Sequence, residues 1–294
     1  MTTDDLTLEK LSDTVGAAVH GVDRDRLLHD DELPGWTLDA LEANGALVFP
    51  GLHLDDEAQV RFSRKLGKVE VFGQGEWPEI FIVTLDPERS RTAAYLRGTV
   101  HWHIDGCTDD IPIMATMLSA HAVAETGGET EFASSYQAYE DLADDEKAHL
   151  ETLRVVHTIE ASYRLVDPNP SEEALALMRQ RPAKEHPLVW THRSGRKSLV
   201  LGATADHVVG MAADESRALL DDLLARATAP ERVYRHDWEV GDVVIWDNRG
   251  VLHRALPYDE KSPRDMHRTT FTGDEAIVKL DPPSLNRLQN AYLP

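Results

Sequence analysis

Val100-His101-Trp102-His103-Ile104-Asp105-Gly106 is answered far downstream by Trp246-Asp247-Asn248-Arg249-Gly250-Val251-Leu252-His253-Arg254. In an extended strand, side chains two residues apart share a face and sit about 7 Å apart along the backbone. Read so, His103 and Asp105 lean onto one point, and the distant His253 supplies a third corner. An ion about 2 Å from each donor would be gripped on one side and open on the other. Two imidazoles and one carboxylate in that arrangement suit a ferrous ion that keeps positions free for reactants. A His-x-Asp tripeptide alone is weak evidence in a chain with 14 histidines and 52 acidic residues. His101 shares the expected strand face and is either a rival ligand or a hydrogen-bond donor behind His103.

Two arginines strengthen the pattern. Pro263-Arg264-Asp265-Met266-His267-Arg268-Thr269-Thr270-Phe271-Thr272 reads as a strand opening just after a proline, and even spacing puts Arg264 and Arg268 on one face. A guanidinium keeps its charge and meets a carboxylate with two parallel hydrogen bonds. The competing reading spends both arginines on surface salt bridges to Asp259, Glu260 or Asp265. The chain, 294 residues with 41% hydrophobic content, can bury a sizeable core. It is read as one domain over 1–294, because a boundary between the two halves would cut the expected site.

Net charge is −22, from 30 basic and 52 acidic residues, with no Lys/Arg-rich block. Nucleic acid and anionic membranes are therefore poor partners. The acidic residues gather near expected helix starts, as at Asp55-Asp56-Glu57 and Asp144-Asp145-Glu146, where they serve solubility. Against that background, a pocket holding arginine and histidine suits a small organic anion. Cys107 is the single cysteine, which excludes an internal disulfide and fits a reducing, cytoplasmic setting. It is read as a small buried hydrophobe, close enough to the expected iron to be sensitive to oxidation. Neither a basic leader with an apolar core nor a stretch of membrane-spanning length is seen, so a soluble chain is expected.

Periodicity places helices at 36–41, 55–66, 171–179 and 214–226, and one from the Ser134/Ser135 cap through Leu142. Strands are expected at 46–49, 80–83, 114–120, 198–201 and 243–246, with turns at Asn44-Gly45, Pro50-Gly51 and Gly127-Gly128. Prolines 168, 170, 182 and 187 mark 167–187 as an expected lid or insertion. Strands around the motifs, with helices before and between them, predict an α+β fold on a Greek-key double sheet, a jelly roll.

Four motifs in one register resemble the taurine/2,4-dichlorophenoxyacetate dioxygenase family of Fe(II)- and 2-oxoglutarate-dependent oxygenases. They are Trp102-His103-Ile104-Asp105, Gly127-Gly128-Glu129-Thr130, Trp246-Asp247-Asn248-Arg249 with His253, and Arg264 with Arg268. The similarity runs over about residues 15–278. It implies a double-stranded β-helix core in which His103, Asp105 and His253 bind Fe(II). Thr130 and Arg264 would hold the distal carboxylate of 2-oxoglutarate, and Arg268 would lie near the substrate's anionic group. Asp247 and Arg249 are read as a pair that shapes the turn presenting His253. The implied chemistry couples oxidative decarboxylation of 2-oxoglutarate by dioxygen to hydroxylation of a small anionic organic substrate.

Within the family, taurine oxygenases use a histidine ahead of the metal motif, and the region around Phe72-Gly73-Gln74 has none. With Phe72, Phe132 and Trp102 present instead, an aromatic or apolar carboxylate is the expected substrate. The segment 72–98 should line its cavity, and His207 is a further pocket candidate, with a surface turn as the alternative. Rival readings keep the iron but change the outcome, to desaturation or carbon-nitrogen chemistry. Asp105 argues against halogenation. A zinc hydrolase lacks support, since no His-Glu-x-x-His run exists. The resemblance also leaves room for a homo-oligomer, since helical segments in this family often join subunits.

Overall fold

The structure, a computed structural model, describes residues 5–90 and 96–278. The ends of the expected 1–294 domain, and 91–95 within the expected cavity segment, lie outside the described residues. Short apolar runs form the middle of the largest sheet, because strands covered on both faces need no polar alternation. β3 (Ala46–Phe49) and β13 (Val243–Asp247) are buried along their whole length. The seven-stranded sheet runs β1 (Thr7–Lys10), β2 (Ala17–His20), β3, β13, β5 (Ala115–Ala122), β15 (Asp265–Phe271), β4 (Phe81–Val83). All its pairings are antiparallel except β2 with β3.

A second sheet runs β12 (Val233–His236), β6 (Thr130–Ser134), β14 (Val251–Ala255). Alternation along β13 explains how the two sheets and the helices are glued. Val244 and Trp246 point to a core shared with Phe132 and Val251 of the second sheet. Val243 and Ile245 point the other way, to a core with Leu27, Leu33 and Phe62 from helices Arg24–His29, Leu33–Asn44 and Asp56–Leu66. Two smaller units complete the fold: β11 (Ala205–Val208), β7 (Arg154–His157), β8 (Lys184–Pro187), and the ribbon β9 (Val189–Thr191), β10 (Lys197–Leu199). The architecture is the expected α+β double-stranded β-helix.

Helix boundaries follow their caps. Asp55, Ser134 and Ser171 each accept a backbone N–H at the start of Asp56–Leu66, Ser135–Glu140 and Glu172–Met178. Helix Ala213–Ala227 buries Leu220 and Leu223, with Leu219 and Leu224 partly covered. Helix Ile159–Val166, capped by Thr158, was not foreseen, and none of its residues is fully buried. In the proline-rich segment, the last four residues are tied down as β8 against β7. Among the described residues, no helix is long and apolar enough to cross a membrane.

The stretch 100–106 departs from the expected extended strand. A 3-10 turn, Arg97–Val100, precedes it, and His103 pairs with His253 as a single β-bridge. The chain then turns through Asp105 and Gly106, whose φ is 85°. A Cβ on Gly106 would lie 2.7 Å from the backbone nitrogen of Ile113, so a side chain there would block the turn. Trp102, Ile104 and Cys107 are buried around this turn. Their packing, more than a sheet ladder, shapes it.

Candidate active site

His103 and His253 are neighbours across the sheet edge because their backbones exchange hydrogen bonds, His103 N to His253 O at 3.0 Å and His253 N to His103 O at 2.9 Å. Their rings lie 4.2 Å apart, tilted by 47°. Asp105 faces both: Oδ1 is 3.7 Å from His103 Nε2, and Oδ2 is 3.9 Å from His253 Nε2. One donor atom from each of the three lies within 4.8 Å of the others. An ion about 2.1 Å from each needs them only slightly closer.

Two details fit these residues to a metal. His103 Nδ1 donates to the carbonyl oxygen of His101 at 2.8 Å, which leaves Nε2 with its lone pair toward the centre. Asp105 Oδ2 is buried and has no hydrogen-bond partner. Burial works against ionisation of Asp105, but His253, Arg268 and His103 outweigh it and hold the carboxyl below its usual range. Burial, with His103 and Arg268, depresses His253 to about 3, so its imidazole is neutral, the form a metal requires. His101 contributes its main chain to this arrangement and is absent from the converging donor group.

Phe132 stands opposite His253 in the β6–β14 register and packs against Trp246, itself 4.9 Å from the His253 ring. The expected turn pair is present: Asp247 accepts from the backbone nitrogen, Nε and Nη2 of Arg249, and Tyr136 adds a fourth donor. Trp246 Nε1 donates to Asn248, whose Nδ2 donates to Thr116.

Arg264 precedes β15 by one residue and is 3% exposed. Its Nη2 donates to Gly128 O at 3.2 Å, and its guanidinium lies 4.8 Å from the Tyr258 ring. The salt bridges entertained from sequence do not form, since Arg89 takes Asp265 and Arg97 takes Glu260. No carboxylate among the described residues pairs with Arg264 in an ion pair. Burial pulls its pKa down, the signature of a cation short of a counter-ion. Thr130 is also buried, and its hydroxyl accepts from Trp238 Nε1 at 2.9 Å, which leaves its own proton to give.

Arg268 reaches from β15 toward the metal ligands, with Nη1 3.8 Å from Asp105 Oδ2. Its guanidinium lies 4.7 Å from the Phe81 ring and 5.8 Å from Phe72, and its Nε is buried without a partner. Phe72 is 40% exposed and meets Phe81 edge-on, so it is no core aromatic. The other two aromatics are buried, Phe132 in the core between the sheets and Trp102 beneath the Arg254 guanidinium. His207 is not brought to the cluster. It is exposed on β11 with Nδ1 2.7 Å from Asp206, as the surface-turn alternative required. Cys107 is buried and its thiol is pushed up to about 12 by burial, then by Asp105 and Asp109. That leaves it a packing residue.

Glu70, Phe81, Trp238 and Tyr258 went unnoticed in the sequence. Burial lifts the Glu70 carboxyl above its usual range although Arg268 opposes it, which places Glu70 in the same electrostatic neighbourhood. Only Phe81 carried a signal, as the opening residue of a strand whose pairing sets it opposite Arg268.

Comparison with known proteins agrees with this geometry. The model of the family described as taurine catabolism dioxygenase TauD, TfdA family matches residues 7–270. The alpha-ketoglutarate-dependent 2,4-dichlorophenoxyacetate dioxygenase of Cupriavidus pinatubonensis (strain JMP 134 / LMG 1197) is 38% identical over 255 residues, covering 81% of this chain and 88% of that protein. The (S)-phenoxypropionate/alpha-ketoglutarate-dioxygenase of Sphingobium herbicidovorans is 35% identical over 280 residues, covering 90% and 94%. Among solved structures, AAD-2 in complex with Mn(II) and N-oxalylglycine aligns with a TM-score of 0.78 at 32% identity, over 93% of this chain and 100% of that one. The chain belongs to the TauD, TfdA family and is a dioxygenase that depends on Fe(II), 2-oxoglutarate and dioxygen.

Proposed function

We propose that this enzyme hydroxylates a small aromatic or apolar carboxylate of the aryloxy-acid kind. Arg268 carries the reading: a guanidinium beside the paired rings of Phe72 and Phe81, 3.8 Å from Asp105 of the metal triad, with an unpartnered nitrogen. A cation flanked by aromatic rings receives an anion that bears a ring. The relatives named for dichlorophenoxyacetate and phenoxypropionate support the same class.

In this reading His103, Asp105 and His253 hold Fe(II), and the iron, when bound, supplies the oxidising chemistry. Arg264 and the Thr130 hydroxyl anchor the distal carboxylate of 2-oxoglutarate and so set its direction. Arg268 and Phe72 seat the substrate with its reactive carbon toward the three ligands. One oxygen atom of dioxygen ends in succinate, with loss of carbon dioxide, and the other in the substrate. In an aryloxyacetate, hydroxylation beside the ether oxygen gives a hemiacetal that collapses to a phenol and glyoxylate.

The segment 167–187 fits a lid over this site. Helix Glu172–Met178 buries only Leu175, and Arg179 ties it to Glu160 of helix Ile159–Val166 by bonds of 2.6 and 3.0 Å. Hydrogen exchange within 167–181 should slow when 2-oxoglutarate and substrate are added anaerobically, and unchanged exchange removes the lid. For the substrate, the Fe(II)-loaded enzyme is given aryloxy acids, simple carboxylates, sulfonates and sulfate esters, and succinate release is measured. Aryloxy acids should lead. Faster turnover of a sulfonate or sulfate ester, or an olefin in place of phenol, would overturn the assignment.

A further inference from the structure

We propose a second metal site, for a borderline divalent cation such as Zn(II), formed by Asp56, His121 and His267 on the outer face of the large sheet. It shares no ligand with the iron centre. β15 alternates, so Arg268 points between the sheets while His267, one residue earlier, points toward the first turn of helix Asp56–Leu66. His121 comes from β5, the neighbouring strand, and Asp56 is the first residue of the helix.

One donor atom from each of the three lies within 4.8 Å of the others, as in the iron triad. They border an open groove of about 470 Å³, also lined by Asp55, Glu57, Glu76 and Trp77. Three further carboxylates around the mouth draw cations from solvent.

Two polar atoms here have no partner. His121 Nε2 is buried without a hydrogen bond, and so is Asp265 Oδ1, which lies 3.7 Å from His267 Nε2. His121 lines the groove, and its unmet Nε2 is a donor that a cation entering there can take up once the ring turns. His267 Nδ1 lies 2.5 Å from Asp56 Oδ1, so the two donors already face each other, and an ion bound between them would replace this hydrogen bond.

The two imidazoles stack at 3.7 Å with 20° between planes. Their lone pairs therefore run side by side, and one ring must swing about its Cβ–Cγ bond to share an ion. Two nitrogens and a carboxylate, with water in the fourth position, suit tetrahedral Zn(II) and disfavour Mg(II) or Ca(II), which demand oxygen.

The test uses the full chain with the iron site disabled by His103→Ala and Asp105→Ala, checked for folding by circular dichroism. Zn(II) binding is read by equilibrium dialysis, and Co(II) by its visible spectrum. The disabled chain should bind one Zn(II) and give an intense four-coordinate Co(II) band. Adding His121→Ala, or His121→Gln should alanine upset folding, must abolish both, and adding Asp56→Asn must weaken binding at least tenfold. No Zn(II) bound to the disabled chain, or binding that survives the His121 substitution, overturns the proposal.

Discussion

At the scale of single residues, the site is defined by groups that lack ordinary partners. Asp105 Oδ2 is buried without a hydrogen bond, and Arg264 is buried with no carboxylate paired to it among the described residues. The Arg264 arrangement would be costly in a protein with nothing to bind, because one unmatched buried charge offsets much of a typical stability. Arg264→Ala is expected to raise the KM for 2-oxoglutarate roughly a hundredfold, since removing one member of a buried charge pair costs about 3 kcal/mol. The KM for substrate should move little, and steady-state succinate assays would reveal the reverse pattern if the two arginines had exchanged roles. His103→Ala should lose Fe(II) binding and succinate formation with the fold intact. His101→Ala should keep both, because only the main chain of His101 touches the His103 ring nitrogen. Retained turnover in His103→Ala would hand the ligand role to His101.

At the scale of elements, the turn 127–130 holds Arg264, the proposed cosubstrate anchor, by close backbone approach. Gly128 has φ of 79°, and a Cβ there would lie 3.0 Å from Arg264 Nε. Gly128→Ala should therefore cost about 1–2 kcal/mol in backbone strain and also raise the 2-oxoglutarate requirement. Urea denaturation and the succinate assay read the two effects, and an unchanged requirement would free Arg264 from this turn. The apolar runs 46–49 and 243–246 were legible as strands, because full burial on both faces leaves a continuous hydrophobic signature. The Ser134 cap was legible because a serine ahead of the helix is a local signal, whereas Asp55 and Ser171, read as first helical residues, prove to be caps just outside their helices. The conformation of 100–106 was not. Its turn depends on Gly106 passing close to Ile113, a contact between segments that no local period encodes. Helix Ile159–Val166 was missed because it buries no residue fully and the neighbouring prolines dominate the local pattern. The convergence of His103, Asp105 and His253 was anticipated from spacing, while Phe132 and Trp102 lie buried next to the two histidines, Phe132 in register with His253 and Trp102 beside His103 in the chain.

At the scale of the whole molecule, buried histidines set the response to acid. Burial is the leading cause that depresses His157, His192 and His253 to about 3, against an ordinary value of 6.5. Between about 6.5 and 3 the unfolded chain binds more protons than the folded one, so stability rises with pH across that window. It is fully present above 6.5 and is lost as pH falls. Metal-free protein should thus show a urea midpoint that drops between pH 7 and pH 5, before most carboxylates titrate. His157→Gln should flatten that drop, and a midpoint independent of pH would contradict the burial of these rings. The mutual backbone bonds of His103 and His253 carry a kinetic corollary. The polypeptide spaces both imidazoles before any ion arrives, so loading is a simple capture from solution, unlike a zinc finger that must fold around its metal. A chelator should accordingly leave behind an intact shell, ready to be recharged within the time of mixing.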